Sequence, residues 1–154
     1  MANITLELPD EISKKITELG QRTDEITAKA LEAGAKAALP IFKKNLGEVV
    51  GKGTKYPSRS TGELEESLGV SPVKIDKDGN ANIKLGFSDP RKPRYSKSGK
   101  KANKEPTNVQ LANILENGKH GQPPKPFIKR TRQQIKKPFE QAVQKKFEEE
   151  VSKL

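Results

Sequence analysis

The chain has no cysteine and no tryptophan, and its 154 residues include one methionine, one histidine, two tyrosines and five phenylalanines. Without cysteine there can be no disulfide, no thiolate metal ligand and no thiol nucleophile. With His120 as the only imidazole, no His/Cys/Asp cluster stands at metal-binding spacing. His120 lies between Lys119 and Gly121, where nothing in the sequence supplies the partner that orients a general base. No apolar run approaches the roughly 18 residues of a membrane span. The first residues, MANITLELPDE, lack the basic start and apolar stretch of a signal peptide. These absences predict a soluble, intracellular, non-enzymatic protein without a cofactor.

What is present is mostly charge. Hydrophobic residues make up 31% of the chain and charged residues 32%, so one thin-cored domain over residues 1–154 is expected. Such a domain relies on self-association or a partner to bury its remaining apolar faces. The net charge of +10 is unevenly spread. Residues 1–54 carry 8 basic and 8 acidic side chains, whereas residues 91–137 carry 14 basic residues against Glu105 and Glu116 alone. The basic candidates for a contact surface are Arg91, Lys92, Arg94, Lys129, Arg130 and Arg132. A field of this kind attracts nucleic acid, an acidic protein surface or counterions. Only Tyr95 and Phe127 interleave it, so base stacking is poorly supported.

Periodicity gives the elements. Asn3 to Leu8 alternates, with Ile4, Leu6 and Leu8 on one face, as in a short strand or extended arm. Asp10 is placed to cap a helix whose apolar or small positions recur from Ile12 to Ala37 in steps of three and four. This is one long helix or two broken near Gly20, and Pro40 is expected to end or kink it. Gly51-Lys52-Gly53-Thr54-Lys55 lacks the spacing of a phosphate-binding loop. Thr61 to Leu68 reads as a short amphipathic helix capped by Thr61. Gly69–Ile75 and Ala81–Phe87 read as two strands of a hairpin around Asp78-Gly79, with Ile83, Leu85 and Phe87 on the face of Val73 and Ile75. Residues 89–108 lack core-forming side chains and are expected to be a mobile basic loop. Thr107–Asn117 is a helix, and Pro138 opens or restarts a last one with a stripe of Phe139, Val143, Phe147 and Val151. Glu148, Glu149 and Glu150 oppose the dipole near its end, so fraying is expected there. The fold class is α+β, with long N-terminal and C-terminal helices packed on a small antiparallel sheet.

The most informative segment is Leu111 to Ile128, LANILENGKHGQPPKPFI. An apolar helical turn runs into Glu116 and the helix-stopping pair Asn117-Gly118. The rigid run from Gln122 to Pro126 comes next, and Phe127-Ile128 opens a basic helix. Glu116 suits a cap or an ion pair better than catalysis. In Leu115-Glu116-Asn117-Gly118 and Pro124-Lys125-Pro126-Phe127-Ile128 the chain resembles the gene-product-ten-like family of tail-component and neck proteins of long-tailed bacteriophages. That family joins an apolar turn, Leu-Glu-aromatic-Gly and Pro-x-Pro-Phe before a final helix. A second block, Pro57 with Thr61-Gly62-Glu63-Leu64 and Ser67-Leu68, resembles the family in the same order. Asn117 stands where an aromatic is usual, and the basic stretch at 89–108 is longer than the family's pattern. The resemblance makes Thr61, Gly62, Leu64, Leu115, Glu116, Gly118, Pro126 and Phe127 the motif residues. It implies a virion protein of the neck or tail, present in host cytoplasm during assembly. Its expected partners are copies of itself in a ring, head-closure or connector proteins, tail proteins, and DNA without sequence preference.

One alternative belongs to another class. Ile4 to Glu11 followed by helical segments is similar to the start of ribbon–helix–helix repressors, with Asn3, Thr5 and Glu7 facing the DNA. Glu7 is unfavourable beside phosphates, and the alternative leaves about a hundred residues unexplained.

Overall fold

The computed structural model describes residues 10–53, 60–89, 98–99 and 106–154. The arm at residues 3–8 falls outside these, as does most of the expected loop at 89–108.

Helix α1 spans Asp10–Val49, 40 residues without a break. Neither Gly20 nor Pro40 ends it, so of the two outcomes expected at the proline, an end or a kink, the end does not occur. A ribbon–helix–helix start needs a turn between two helices within about the first 45 residues, and α1 contains none. Helix α4 spans Phe127–Val151 and continues through Pro138, which therefore neither opens nor restarts it. Each proline removes one backbone hydrogen bond. Packing between the two helices compensates, since tertiary burial rather than propensity sustains most helices.

The pairing of α1 with α4 is antiparallel and is fixed at three levels. At one end Asn45, 3% exposed, donates from Nδ2 to Thr131 Oγ1 at 2.9 Å and to Gln134 Oε1 at 2.8 Å. In the middle the backbones come close at Gly34, where a Cβ would lie 2.6 Å from Val143 Cγ2 and 2.8 Å from the Phe139 ring. At the other end Lys29 Nζ reaches Glu150 Oε2 at 3.3 Å. This register puts Pro40 and Pro138 at about the same height, between the first two levels. Phe147, expected in the stripe, is 42% exposed, while Phe139 and Val143 face Gly34.

Glu150 does not lie in a frayed end. It is 5% exposed and accepts from Lys153 at 2.6 Å, Lys146 at 3.1 Å and Lys29 at 3.3 Å. Hydrogen bonds from Lys153 and then Lys146 hold its carboxyl down to about 2. A carboxylate with a depressed folded pKa contributes stability fully above its ordinary value, and that contribution is lost as the pH falls through the folded one. The melting temperature should therefore fall between about pH 5 and pH 2. Glu150→Gln should flatten that slope while lowering stability at neutral pH; an unchanged slope would remove Glu150 from the account.

Between the long helices the chain makes α2 (Glu63–Ser67), β1 (Leu68–Val70), β2 (Lys74–Ile75), β3 (Ala81–Asn82), β4 (Leu85–Phe87) and α3 (Asn108–Asn117). β1 pairs with β4, Leu68 opposite Phe87 and Val70 opposite Leu85; β2 pairs with β3, Ile75 opposite Ala81. The expected hairpin is thus present in two pieces. Pro72 and Val73 face the single Ile83, an insertion of one residue that shifts the register, and Pro72 has no N–H to extend the ladder. The turn is held by Asp76 Oδ1, which accepts from the backbone N–H of Asp78 and Asn80. Ile75 lies near this tip, 47% exposed, so the shared apolar face expected for the hairpin is buried only toward β1 and β4.

The core gathers one or two side chains from most elements: Phe42 and Leu46 of α1, Leu64 of α2, Leu68 of β1, Ala112 of α3 and Phe127 of α4. The result is an α+β fold in which two long helices dominate a small sheet.

Candidate functional site

The two motif blocks meet in this core. Leu64, from the first, is 8% exposed and Phe127, from the second, is 1% exposed, in the same cluster. The rings of Phe42, Phe87 and Phe127 pack mutually, with centroids 5.9 to 6.5 Å apart. Gly62 rather than Thr61 occupies the N-cap of α2, at φ 78, and supplies no side-chain cap. Thr61 thus stands one residue before the N-cap position expected of it. A threonine cap occurs at α3, where Thr107 and Gln110 exchange the reciprocal bonds of a capping box.

The connector from Gly118 to Pro126 is held by backbone hydrogen bonds at several points. Gly118 ends α3, its N–H donating to Ile114 O at 2.8 Å. Lys119 and Gln122 exchange backbone bonds around a tight turn that holds His120 exposed. The Lys125 N–H donates to Leu115 O at 2.8 Å. Its ammonium reaches Val49 O at 3.4 Å and also Lys52 O, placing a cation at the C-terminus of α1, whose last turn has none of its own. Pro126, at φ −71 and ψ 76, makes a tight inverse turn, with the Phe127 N–H donating to Lys125 O at 2.7 Å.

Glu116 completes the arrangement. Helix α4 has no side-chain cap from its own N-cap, Pro126. Glu116 Oε2 accepts from the Ile128 N–H at 2.7 Å and Oε1 from the Lys129 N–H at 3.0 Å. A carboxylate at the last turn of α3 thus caps the first turn of α4, where free N–H groups and the helix dipole favour negative charge. Glu116→Ala should cost about 1–2 kcal/mol in denaturant unfolding, the range for a lost helix cap. Glu116→Gln, which keeps one acceptor, should cost less, and equal stability of all three proteins would refute the cap.

Among the basic candidates, Arg91, Lys92 and Arg94 lie outside the described residues. Lys129 and Arg132 are exposed. Arg130, with its side chain 42% exposed, donates from Nη2 to Asn45 Oδ1 at 3.1 Å and pairs with Glu48. Asn45 itself is readable from the sequence, because it stands three residues after Phe42 and one before Leu46, a polar residue on an apolar stripe. Thr131 and Glu150 give no comparable signal. Among the described residues no three His, Asp or Glu side chains converge as a metal site, and no helix is long and apolar enough to cross a membrane.

The connector geometry therefore builds a rigid joint. A family model described as "Bacteriophage HK97-gp10, putative tail-component" matches residues 10–118. The match takes in α1, the Thr61-Gly62-Glu63-Leu64 block and the Leu115-Glu116-Asn117-Gly118 end of α3; the Pro-Lys-Pro-Phe block and α4 lie beyond it. No curated protein and no solved structure matches the chain.

Proposed function

Because the chain belongs to the HK97-gp10-like family of bacteriophage tail components, we propose that it is a structural protein of the neck that helps join the head to the tail. Copies assemble as a ring about the tail axis and bind connector and tail proteins; the mechanism is mechanical rather than chemical. The observation that carries this reading is the family match across residues 10–118. The shape of α1 supports the ring. Glu150, one residue from the end of α4, lies level with Lys29, so α1 from Asp10 to about Glu25 projects roughly 24 Å past its partner at 1.5 Å per residue. Among the described residues of that projection, Arg22 to Glu25 are all exposed, which leaves this stretch of α1 open to a neighbour. Closed rings of identical subunits use such head-to-tail contacts.

The test is genetic and visual. A phage or prophage lacking this gene should produce DNA-filled heads and separate tails, and supplying the protein should restore joined particles. Normally joined particles without the gene would overturn the reading.

The basic stretch at residues 91–137 then serves an acidic protein surface or passing DNA. Its DNA binding in gel-shift titration should be independent of sequence and vanish by about 0.2 M salt, since phosphate neutralisation releases counterions. A discrete complex that survives physiological salt would instead require a specific site.

A further inference from the structure

We propose that the open groove between β1, β4, α3 and α4 receives the N-terminal arm, residues 3–8, of a neighbouring copy; the inference rests on the ring assembly proposed above. The groove has a volume of about 840 Å³ and is lined mainly by apolar atoms, with Val70, Leu85, Val109 and Ile135 among its walls. Val70 and Val109 are 38% and 44% exposed, apolar surface that the fold itself leaves uncovered. Among the described residues the β1–β4 sheet has two strands, which leaves edges that can take a third.

The arm has the matching chemistry. Ile4, Leu6 and Leu8 alternate with Thr5 and Glu7, which is the pattern of a strand with one apolar face. Its single charge, Glu7, is complementary to Lys84 and Arg132 in the groove lining, where Glu66 is the one acid. The chain's own basic stretch at residues 90–105 does not suit the groove, having only Tyr95 and Ala102 as apolar side chains apart from prolines and sharing the sign of Lys84 and Arg132.

Distance makes the contact intermolecular. Phe42, in the groove lining, lies 32 residues beyond Asp10 on one continuous helix, about 48 Å at 1.5 Å per residue. Leu6 is four residues from Asp10 and Ile4 six, a reach of at most about 21 Å when fully extended. An arm carried away from its own groove by α1 can enter only the groove of another copy, and repeating that contact gives a head-to-tail series.

The absence of cysteine makes the test direct. Leu6→Cys and Val109→Cys are introduced together into the full chain, and the protein is oxidised mildly at high concentration. The expected product is a ladder of disulfide-linked multimers, absent when Leu6→Cys is combined instead with Lys43→Cys on the exposed side of α1. A closed monomer joined within itself would overturn the proposal, and so would no linkage at all. Light scattering on the unmodified protein separates the failures. Association without cross-linking removes the arm contact and leaves the ring; a monomer at every concentration, with or without connector protein, removes both.

Discussion

Phe127→Ala is expected to destabilise the protein by about 3–5 kcal/mol, the range for removing a buried aromatic. Phe127 is 1% exposed and packs against Phe42 of α1 and Phe87 of β4. It is also the first residue of α4, so its side chain anchors the long helix to the sheet at the point where the chain leaves the connector. Few large residues share the load. The fully buried side chains of greatest volume are Phe127, Ile26, Leu46, Asn108 and Thr131, and two of those five are polar. A cavity here would separate α1, β4 and α4 at once. For a domain of this size the loss corresponds to a fall in melting temperature of about 6–20 °C. Phe127→Leu should lose far less. A melting temperature close to that of the parent would mean that Phe127 is held for a partner rather than for the fold.

Gly118→Ala is the second substitution with a large expected effect, about 3 kcal/mol or more, from two separable causes. Gly118 has φ 75 and ψ 177, a region essentially reserved for glycine, where another residue costs about 1–3 kcal/mol. A Cβ at this position would also stand 2.7 Å from Gln122 O and 2.8 Å from Pro124 N, both backbone atoms in a proline-stiffened run. Moving them costs a further 1–3 kcal/mol or so, as overpacking does. Gly121 is the internal control. It has φ 76 but nothing within 4 Å of a Cβ, so Gly121→Ala carries the dihedral cost without the clash. In denaturant the midpoint of Gly118→Ala should lie below that of Gly121→Ala, by the contact contribution together with any difference in ψ between the two sites. Equal midpoints would mean that the connector yields freely and is no rigid joint.

The connector shows how much a sequence can reveal about a site. Local rules are enough to stop α3 at Gly118, to stiffen the proline run after it and to begin a basic helix at Phe127. A positive-φ glycine after an apolar turn and a run of residues with fixed φ leave the backbone few alternatives. The same local reading limits Glu116 to a cap or an ion pair. Which helix it caps depends on bringing the last turn of α3 to the first turn of α4, twelve residues on. No local pattern encodes that approach.

The prolines inside the helices show the opposite case. Pro40 and Pro138 each lower the local propensity enough that a boundary or kink is the natural reading. Yet both helices continue, because α1 and α4 support each other on either side of the same level, through Gly34 against Val143 and Asn45 against Thr131. Similarly, three glutamates near a helix end oppose the dipole. Glu150 is nonetheless held in place by Lys29, more than a hundred residues away in sequence, along with Lys146 and Lys153.

By itself, then, the sequence determined the class of fold, the order of its elements, the stiffness of the connector and, through its motif blocks, the phage tail-component family. Each of these rests on periodicity, on backbone restriction by glycine and proline, or on short motifs, which act over a few residues. The tertiary structure decided where the long helices end, which carboxylate is buried and paired, that Arg130 pairs with Asn45 and Glu48, and where an apolar groove is left open. These depend on contacts between residues far apart in the chain, whose packing energy exceeds the one or few kcal/mol of any local preference.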